Sequence, residues 1–175
     1  MAEITNKKIQ QTLVLIKPDG IVKSLTGNII SVLSELKFKI VAAKLIRVDR
    51  DLAERHYAIH KGKAFYQGLI DYLTGKSVYH TNRVLALVYQ GENAIERIRE
   101  VVGKTNPEEA HPTTLRGKYG RISSKTGVFE NVVHASDSPE AAEYEIKTWF
   151  KPSELADTIY PIKKEKIEKE ELVWA

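Results

Sequence analysis

The chain has 175 residues, of which 42% are hydrophobic and 29% charged, so it is long enough for one domain with a full core and short for two. It contains no cysteine, which excludes disulfides and thiolate metal sites, and it lacks both an apolar signal core and an apolar run of membrane length, so we expect a cytoplasmic protein without membrane contact. The formal net charge of +4 suits a polyanionic ligand, but the basic residues are scattered among acidic ones, and nucleic-acid binding is therefore not indicated.

The first half of the chain alternates strand and helix patterns. The continuous apolar run at residues 13–16 predicts a buried strand that carries Lys17 to its end, where Pro18 and Gly20 stop the strand. Lys17 is then either an ordinary loop lysine or a cation placed for ligand contact. The elements that follow are a helix capped by Thr26 or Asn28, a β-rich segment at 39–48, a helix through Tyr57 that opens with a capping box of Asp51 and Glu54, and a helix at 65–73 ended by Gly75.

The second half continues the same alternation. A third strand is predicted at 83–89, and Ile95, Ile98 and Val102 mark a helix that Gly103 stops. Residues 104–130 read as irregular, and because structureless loops of that length are uncommon in compact domains, a functional role is favoured. A short strand ending at His134 and a helix at 139–150 close the domain. Helices between successive strands predict an α/β sandwich in which helices cover the sheet.

The segment at residues 131–138 sets a histidine at the end of a short apolar strand and directly before a helix start. Residues 136–138 are helix-capping types, and a helix start offers free N–H groups and a positive dipole to an anion. His134 is therefore either a nucleophile or a packed structural histidine. Glu145 lies beside an apolar stripe of the following helix, where it is either a partner for the ring N–H of His134 or a solvent-facing glutamate.

Taken together, these segments resemble the nucleoside diphosphate kinase family. The resemblance runs from about residue 11 to residue 155 and consists of many short matches in one order. They are Lys17-Pro18-Asp19-Gly20, His56-Tyr57, Phe65, Gly103-Lys104-Thr105-Asn106-Pro107, Thr114-Leu115-Arg116-Gly117, Asn131, His134-Ala135-Ser136-Asp137-Ser138 and Trp149-Phe150-Lys151-Pro152. The chain has no P-loop sequence, so a nucleotide would be held by side chains and not by a Gly-rich cradle.

The resemblance narrows the fold to an α/β (α+β) class of ferredoxin-like type. It implies a β-α-β-β-α-β core with an antiparallel four-stranded sheet and a helical hairpin between the second and third strands. We expect one domain over residues 1–175, with its core at about 11–155 and a charged tail at about 156–175. Within the tail, residues 163–171 suggest a solvated helix, and the apolar residues 172–174 are expected to dock on a neighbouring subunit. The family forms homo-oligomers, commonly hexamers, and the same is expected here.

The chemistry that the resemblance implies is transfer of the γ-phosphate of a nucleoside triphosphate to a nucleoside diphosphate. His134 would be the nucleophile of a ping-pong reaction with a phosphohistidine intermediate, since an imidazole with a pKa of roughly 6.5 is largely unprotonated at neutral pH. Glu145 would hold the other ring nitrogen, and Ser136 would orient that carboxylate.

The family's nucleotide ligands also have counterparts in this sequence. Arg99, Thr105 and Arg116 match phosphate-contacting positions, and Lys17 and Tyr57 match those that reach the γ-phosphate and ribose. Phe65 and Val128 would stack on the two faces of the base, and Asn131 would bind the ribose 3′-hydroxyl, which implies broad base and sugar specificity. Mg²⁺ is expected as an ion that bridges phosphates and not as a protein-held metal. His56 and His60 are interpreted as helix-surface or packing residues.

The sequence departs from the family pattern at several positions. Ala135 replaces a glycine, Ala64 replaces a proline, and Ile59 stands in place of an acidic residue. The stretches 76–82 and 121–129 are longer than usual. Two other hypotheses are a catalytically silent nucleotide-binding relative and a nucleic-acid-binding protein, but a silent relative would be expected to have lost the nucleophile or several phosphate ligands.

Overall fold

The computed structural model describes residues 8–166. Its strands are β1 (Ile9–Ile16), β2 (Lys39–Arg47), β3 (Arg83–Glu92), β4 (Arg121–Ile122), β5 (Phe129–Glu130) and β6 (Val133–Ala135). Its α-helices are α1 (Pro18–Val22), α2 (Thr26–Ser34), α3 (Arg50–His56), α4 (Tyr66–Leu73), α5 (Ala94–Val102), α6 (Leu115–Tyr119) and α7 (Pro139–Trp149), with 3₁₀ turns at Ala58–His60 and Pro152–Glu154.

Four of these strands form one antiparallel sheet in the order β2-β3-β1-β6. The helical pair α3 and α4 lies between β2 and β3 in the chain, and the predicted ferredoxin-like sheet is therefore confirmed. Strand β1 lies in the interior of the sheet, where it pairs with β3 along its whole length and with β6 at its C-terminal end. Leu15 is opposite His134 in this register, so the end of β1 and the histidine lie side by side.

Both faces of β1 are buried, which explains its continuous apolar sequence. On one face Leu13 and Leu15 pack with Leu52 of α3, Ile70 of α4 and Ile146 of α7. On the other face, Val14 and Ile16 pack with residues of α2 and α5. Each such buried side chain stabilises the fold by about 1.5–3 kcal/mol relative to exposure. The sheet is thereby a rigid support for the residues that follow its strand ends.

Two of the predicted helix caps are wrong. Helix α3 begins after Asp49, whose side chain accepts a hydrogen bond from the Leu52 N–H at 2.8 Å, and Asp51 pairs instead with Arg55 on the helix surface. A capping side chain must precede the first helical residue, and Asp51 is already inside the helix. For the same reason Thr26 and Asn28 do not cap α2, which follows Leu25 without a side-chain cap.

The stretch 104–130 contains more regular structure than its sequence predicts. It holds the short helix α6 and the two-stranded β4–β5 hairpin. Thr114 caps α6 through a hydrogen bond from the Gly117 N–H at 3.2 Å. Elements of two to five residues are too short to show the periodicity from which helices and strands are predicted.

The charged tail is described only in part. Residues 163–166 have no regular secondary structure, so the predicted helix does not begin at residue 163. The rest of that helix and the apolar residues 172–174 lie outside the described residues. Within residues 8–166, none of the helices combines the length and the hydrophobicity that crossing a lipid bilayer requires.

Candidate active site

Lys17 directly follows the C-terminal end of β1, and its ammonium group is buried. Lys17 is 5% exposed, and its Nζ donates to Asn131 Oδ1 at 2.8 Å. The amide nitrogen of Asn131 in turn donates to the Thr105 carbonyl at 2.8 Å. Burial lowers the pKa of Lys17 to about 8, and the charge of Arg116 contributes to the shift. Three segments far apart in the sequence therefore converge on one buried cation.

A tight turn at Val132 separates Asn131 from His134. Val132 has a φ of +55°, a conformation that costs free energy for a β-branched residue. Its N–H donates to Asp19 Oδ2 at 3.1 Å, and its carbonyl accepts from the Lys17 N–H at 2.9 Å. The buried Asp19 carboxylate also accepts a hydrogen bond from the Tyr72 hydroxyl. The turn that leads into the histidine strand is thus held by the residues that follow β1.

His134 is held by a carboxylate on helix α7. The distance from its Nε2 to Glu145 Oε2 is 2.9 Å, and Ser136 Oγ donates to the same oxygen at 2.6 Å. An ionised carboxylate only accepts hydrogen bonds, so Nε2 carries the proton and Nδ1 of the neutral ring has a free lone pair. Burial raises the pKa of Glu145, but the contacts with His134 and Ser136 outweigh burial and lower it overall. The site therefore presents an oriented imidazole with one nucleophilic nitrogen.

Arg116 is a second buried cation, and its acceptors are uncharged. It is 3% exposed, and its guanidinium donates to the carbonyls of Val133 and Gly103 and, at 3.5 Å, to the Thr105 hydroxyl. Burial lowers its pKa to about 10, with a further contribution from the charge of Arg99. A buried charge normally has a counter-ion. Arg116 lies close enough to Lys17 for its charge to lower the Lys17 pKa, and the two cations together favour an anion beside them.

Aromatic rings pack around His134 on the side of helix α3. The His56 ring lies 4.6 Å from the His134 ring, edge to face, and Trp149 Nε1 donates to His56 Nδ1 at 3.2 Å. Tyr57, His60 and Phe65 continue this row, with ring centroids 4.6, 6.0 and 5.6 Å apart in succession from His56. Burial, reinforced by the charges of His134 and Lys17, holds the pKa of His56 well below its ordinary value. His56 is therefore a neutral packing residue, buried and not on the helix surface.

His56, His134 and Glu145 are close enough together to be considered as a metal site, since each offers a ligand atom within 4.8 Å of the others. The hydrogen bond from Trp149 to Nδ1 places the proton of neutral His56 on Nε2. A metal at Nε2 would need the opposite tautomer, with two N–H groups facing each other. Glu145 Oε2 also already accepts two hydrogen bonds. The arrangement fits a support for His134, in which Glu145 holds Nε2 by a hydrogen bond and His56 packs edge to face on the ring, better than a metal site.

The remaining predicted residues surround this centre. Tyr57 is buried, and burial together with the charge of Glu145 raises its pKa. Arg99 lines an open cleft of about 730 Å³. Phe65 is 52% exposed at the end of the aromatic row, and Val128 packs on Gly68 of α4, one turn away from Phe65. The fold thus brings the predicted phosphate ligands together next to His134 and puts the two predicted base contacts at the outer end.

The sequence alone does not indicate that His56 and Trp149 lie near His134. The order His56-Tyr57 and the Trp149 segment are visible in the sequence, but the contacts of Trp149 with His56 and of His56 with His134 depend on how α3 and α7 pack. Of the departures from the family pattern, Ala135 is a buried strand residue whose φ is not positive, so its position does not need glycine. Ile59 is 72% exposed in a 3₁₀ turn.

Comparison with known proteins identifies relatives over most of the chain. The family profile for nucleoside diphosphate kinase matches residues 10–155. The nucleoside diphosphate kinase of Thermococcus kodakarensis is 45% identical over 152 residues, which are 87% of this chain and 83% of that protein. That of Pyrococcus furiosus is 44% identical over 164 residues, which are 90% and 97% of the two chains.

Solved structures give the same result. A transition state mimic of the nucleoside-diphosphate kinase from Borrelia burgdorferi, with bound vanadate and ADP, has a TM-score of 0.76 at 32% identity and covers 87% of this chain and 93% of its own. A halophilic nucleoside diphosphate kinase from Halobacterium salinarum in complex with CDP has a TM-score of 0.76 at 34% identity. The match covers 87% of this chain and 95% of that one.

Proposed function

Because this chain belongs to the nucleoside diphosphate kinase family, and is therefore a nucleotide phosphotransferase, we propose that it transfers the γ-phosphate of a nucleoside triphosphate to a nucleoside diphosphate through a phosphohistidine on His134. The observation that carries this proposal is the pairing of an oriented imidazole with buried cations. Nε2 of His134 is anchored by Glu145, while Lys17 and Arg116 lie buried with uncharged hydrogen-bond partners. This arrangement suits a nucleophile that attacks an anionic centre.

In the first half-reaction, the Nδ1 lone pair attacks the γ-phosphorus and the bond to the bridging oxygen of the β-phosphate breaks. The nucleoside diphosphate leaves with the electron pair of that bond, and the phosphoryl group stays on Nδ1. The ring then gains positive charge, which the ionised Glu145 stabilises through the Nε2–H. In the second half-reaction, the terminal oxygen of another nucleoside diphosphate attacks the same phosphorus and frees Nδ1.

The phosphate chain would lie among fixed donors. Arg116 contacts the Thr105 hydroxyl and lies near both Lys17 and Arg99, and Tyr57 adds a hydroxyl that stays protonated. These groups supply positive charge where charge redistributes during transfer. Mg²⁺ that arrives with the nucleotide would neutralise further charge. It would be held by the nucleotide, because the nearby carboxylates Asp19 and Glu145 already accept hydrogen bonds.

The nucleoside would occupy the outer end of the site. Phe65 and Val128 would bind the two faces of the base, and stacking accepts any base because every base has a π-face. The side-chain oxygen of Asn131 accepts one hydrogen bond from Lys17, and its amide nitrogen donates one to Thr105. One oxygen lone pair and one N–H therefore remain for a ribose 3′-hydroxyl. Because these contacts avoid the base edges and the 2′ position, we propose broad specificity for bases and for both sugars.

We also propose that the protein forms a closed homo-oligomer, with a hexamer favoured because hexamers are common in the family. Strand β2 is an edge of the main sheet, and Ile40 and Leu45 on it are 47% and 61% exposed. Exposed apolar side chains on an unpaired edge favour association with another chain.

The function is tested by incubating the protein with γ-labelled ATP. The label is expected on His134, labile in acid and stable in base, and His134→Ala should remove it. The control is His80→Asn, because His80 is exposed with a φ of +48°, which asparagine tolerates. Steady-state kinetics with two nucleotides should give parallel double-reciprocal lines.

Labelling that persists in His134→Ala, or lines that intersect, would contradict the mechanism. A protein that binds nucleotide without labelling would be the silent relative. The nucleic-acid-binding hypothesis instead predicts an affinity that falls steeply with salt.

A further inference from the structure

The two stretches that are longer than the family pattern, 76–82 and 121–129, meet at one buried carboxylate. Glu130 is 1% exposed. The Tyr79 hydroxyl from the first stretch donates to Glu130 Oε2 at 2.5 Å, and Arg121 Nε from the second donates to the same oxygen at 2.6 Å. The two stretches are 42 residues apart at these positions, so the carboxylate is the point that joins them.

Hydrogen bonds join Glu130, Tyr79 and Arg121 in all three pairs. Arg121 Nη2 also donates to the Tyr79 hydroxyl at 3.2 Å, so each of the three side chains contacts the other two. The Lys23 ammonium lies 3.9 Å from both Glu130 and Asp19 and over the Tyr79 ring. Burial alone would raise the pKa of Glu130, but the bonds from Tyr79 and Arg121 lower it overall. The carboxylate therefore stays ionised and keeps both partners.

Glu130 also lies next to the nucleotide site. It directly precedes Asn131 and the strained turn at Val132, whose N–H is held by Asp19. Glu130 fixes the chain on one side of Asn131, and Asp19 fixes it on the other. The Arg121 side chain is 60% exposed while Glu130 is buried, so the pair holds a buried carboxylate in place from the surface. Its effect is therefore local, on the position of the backbone at Asn131.

We infer that Tyr79 and Arg121 are positioning residues, which act through Glu130 to hold Asn131 for its contact with the sugar of the nucleotide. This inference rests on the proposed function, in which Asn131 binds the ribose 3′-hydroxyl. It assigns the two lengthened stretches a joint role, because neither alone supplies both donors to the carboxylate. Their hydrogen bonds go to Glu130 and to each other, and not to His134.

The test compares two acceptors on the phosphorylated enzyme: a nucleoside diphosphate with a 3′-hydroxyl and its 3′-deoxy analogue. For Tyr79→Phe and Arg121→Gln, kcat/KM with the 3′-hydroxyl acceptor should fall about fivefold or more, as expected for losing one contact of a coupled network. With the 3′-deoxy acceptor it should stay within about twofold of the parent. The double variant should lose little more than the worse single variant, because both donors act through one carboxylate.

Lys44→Gln is the matched control. It removes another partly exposed ion pair, the one between Lys44 on β2 and Glu154 in the second 3₁₀ turn, and should leave the ratio of the two acceptors unchanged. Equal losses with both acceptors, or additive losses in the double variant, would overturn the inference. Failure of the proposed function would look different, since the parent protein would then not accept label from ATP at all.

Discussion

Lys17 is a buried ammonium whose hydrogen-bond partner, Asn131, is uncharged. Its pKa is lowered to about 8 by burial, and only the protonated form attracts phosphate. Above neutral pH, kcat/KM of the free enzyme should therefore fall as the pH rises through about 8. The measurement is a pH profile of kcat/KM, with Lys17→Arg as the comparison, because a guanidinium stays charged over this range. A variant that kept the same fall would show that another group titrates.

Arg116 and Arg99 form a cluster of positive charges with Lys17. Replacement of either by alanine should lower kcat/KM by roughly 10²-fold, the scale for loss of a preorganised electrostatic contact. Arg97 is the control, since it lies on the same helix as Arg99 but bonds to the Leu36 carbonyl and stacks over Phe38. Arg97→Ala should stay within about threefold of the parent. If the two site variants also stayed within that range, Arg99 and Arg116 would have no part in binding phosphate.

At the scale of elements, two opposite effects on the free energy of unfolding meet at the turn of Val132. Its positive φ costs about 1–3 kcal/mol for a non-glycine residue, whereas its fully buried side chain contributes about 1.5–3 kcal/mol. Glycine would relieve the strain but lose the burial, and alanine would lose much of the burial and keep the strain. We therefore expect Val132→Ala to melt below Val132→Gly, by about 2–4 °C for each kcal/mol.

Val133 is the control for this comparison. It is buried in strand β6 and has no positive φ, so Val133→Ala should be more stable than Val133→Gly, as is normal in a strand. Thermal unfolding of the four variants checks both orders. If alanine were also the more stable choice at residue 132, backbone strain would not decide the stability of the turn.

The elements differ in how well the sequence predicts them. Strand β1 and helix α5 have continuous or periodic apolar residues, and these patterns predicted both. Helix α6 and the β4–β5 hairpin are held by single contacts, such as the Thr114 cap, and no pattern of that length indicates them. The features of the site also differ in how well the sequence predicts them. The capping residues after His134 point to a ligand site, but the contacts His56–His134 and Tyr79–Glu130 join positions 78 and 51 residues apart, and only the packed helices and loops reveal them.

At the scale of the whole molecule, the proposed association rests on the exposed apolar residues of the edge strand β2. Placing a charge on this edge should oppose it. We expect Leu45→Lys to reduce the mass of the assembly measured by sedimentation velocity, and Ile59→Lys, which charges an even more exposed residue outside the sheet, to leave it unchanged. A parent protein that sediments as a monomer would contradict the proposed oligomer.

Because two buried cations lie at the site, binding of the substrate also affects the stability of the folded protein. Lys17 and Arg116 are poorly solvated in the folded state, and burial is unfavourable for both charges. A nucleotide binds only the folded state, and at a hundred times its dissociation constant it would add about 2.7 kcal/mol to the free energy of unfolding. Depletion of the nucleotide pool would then shorten the lifetime of the protein in the cell, since a change of this size alters the unfolded fraction about a hundredfold.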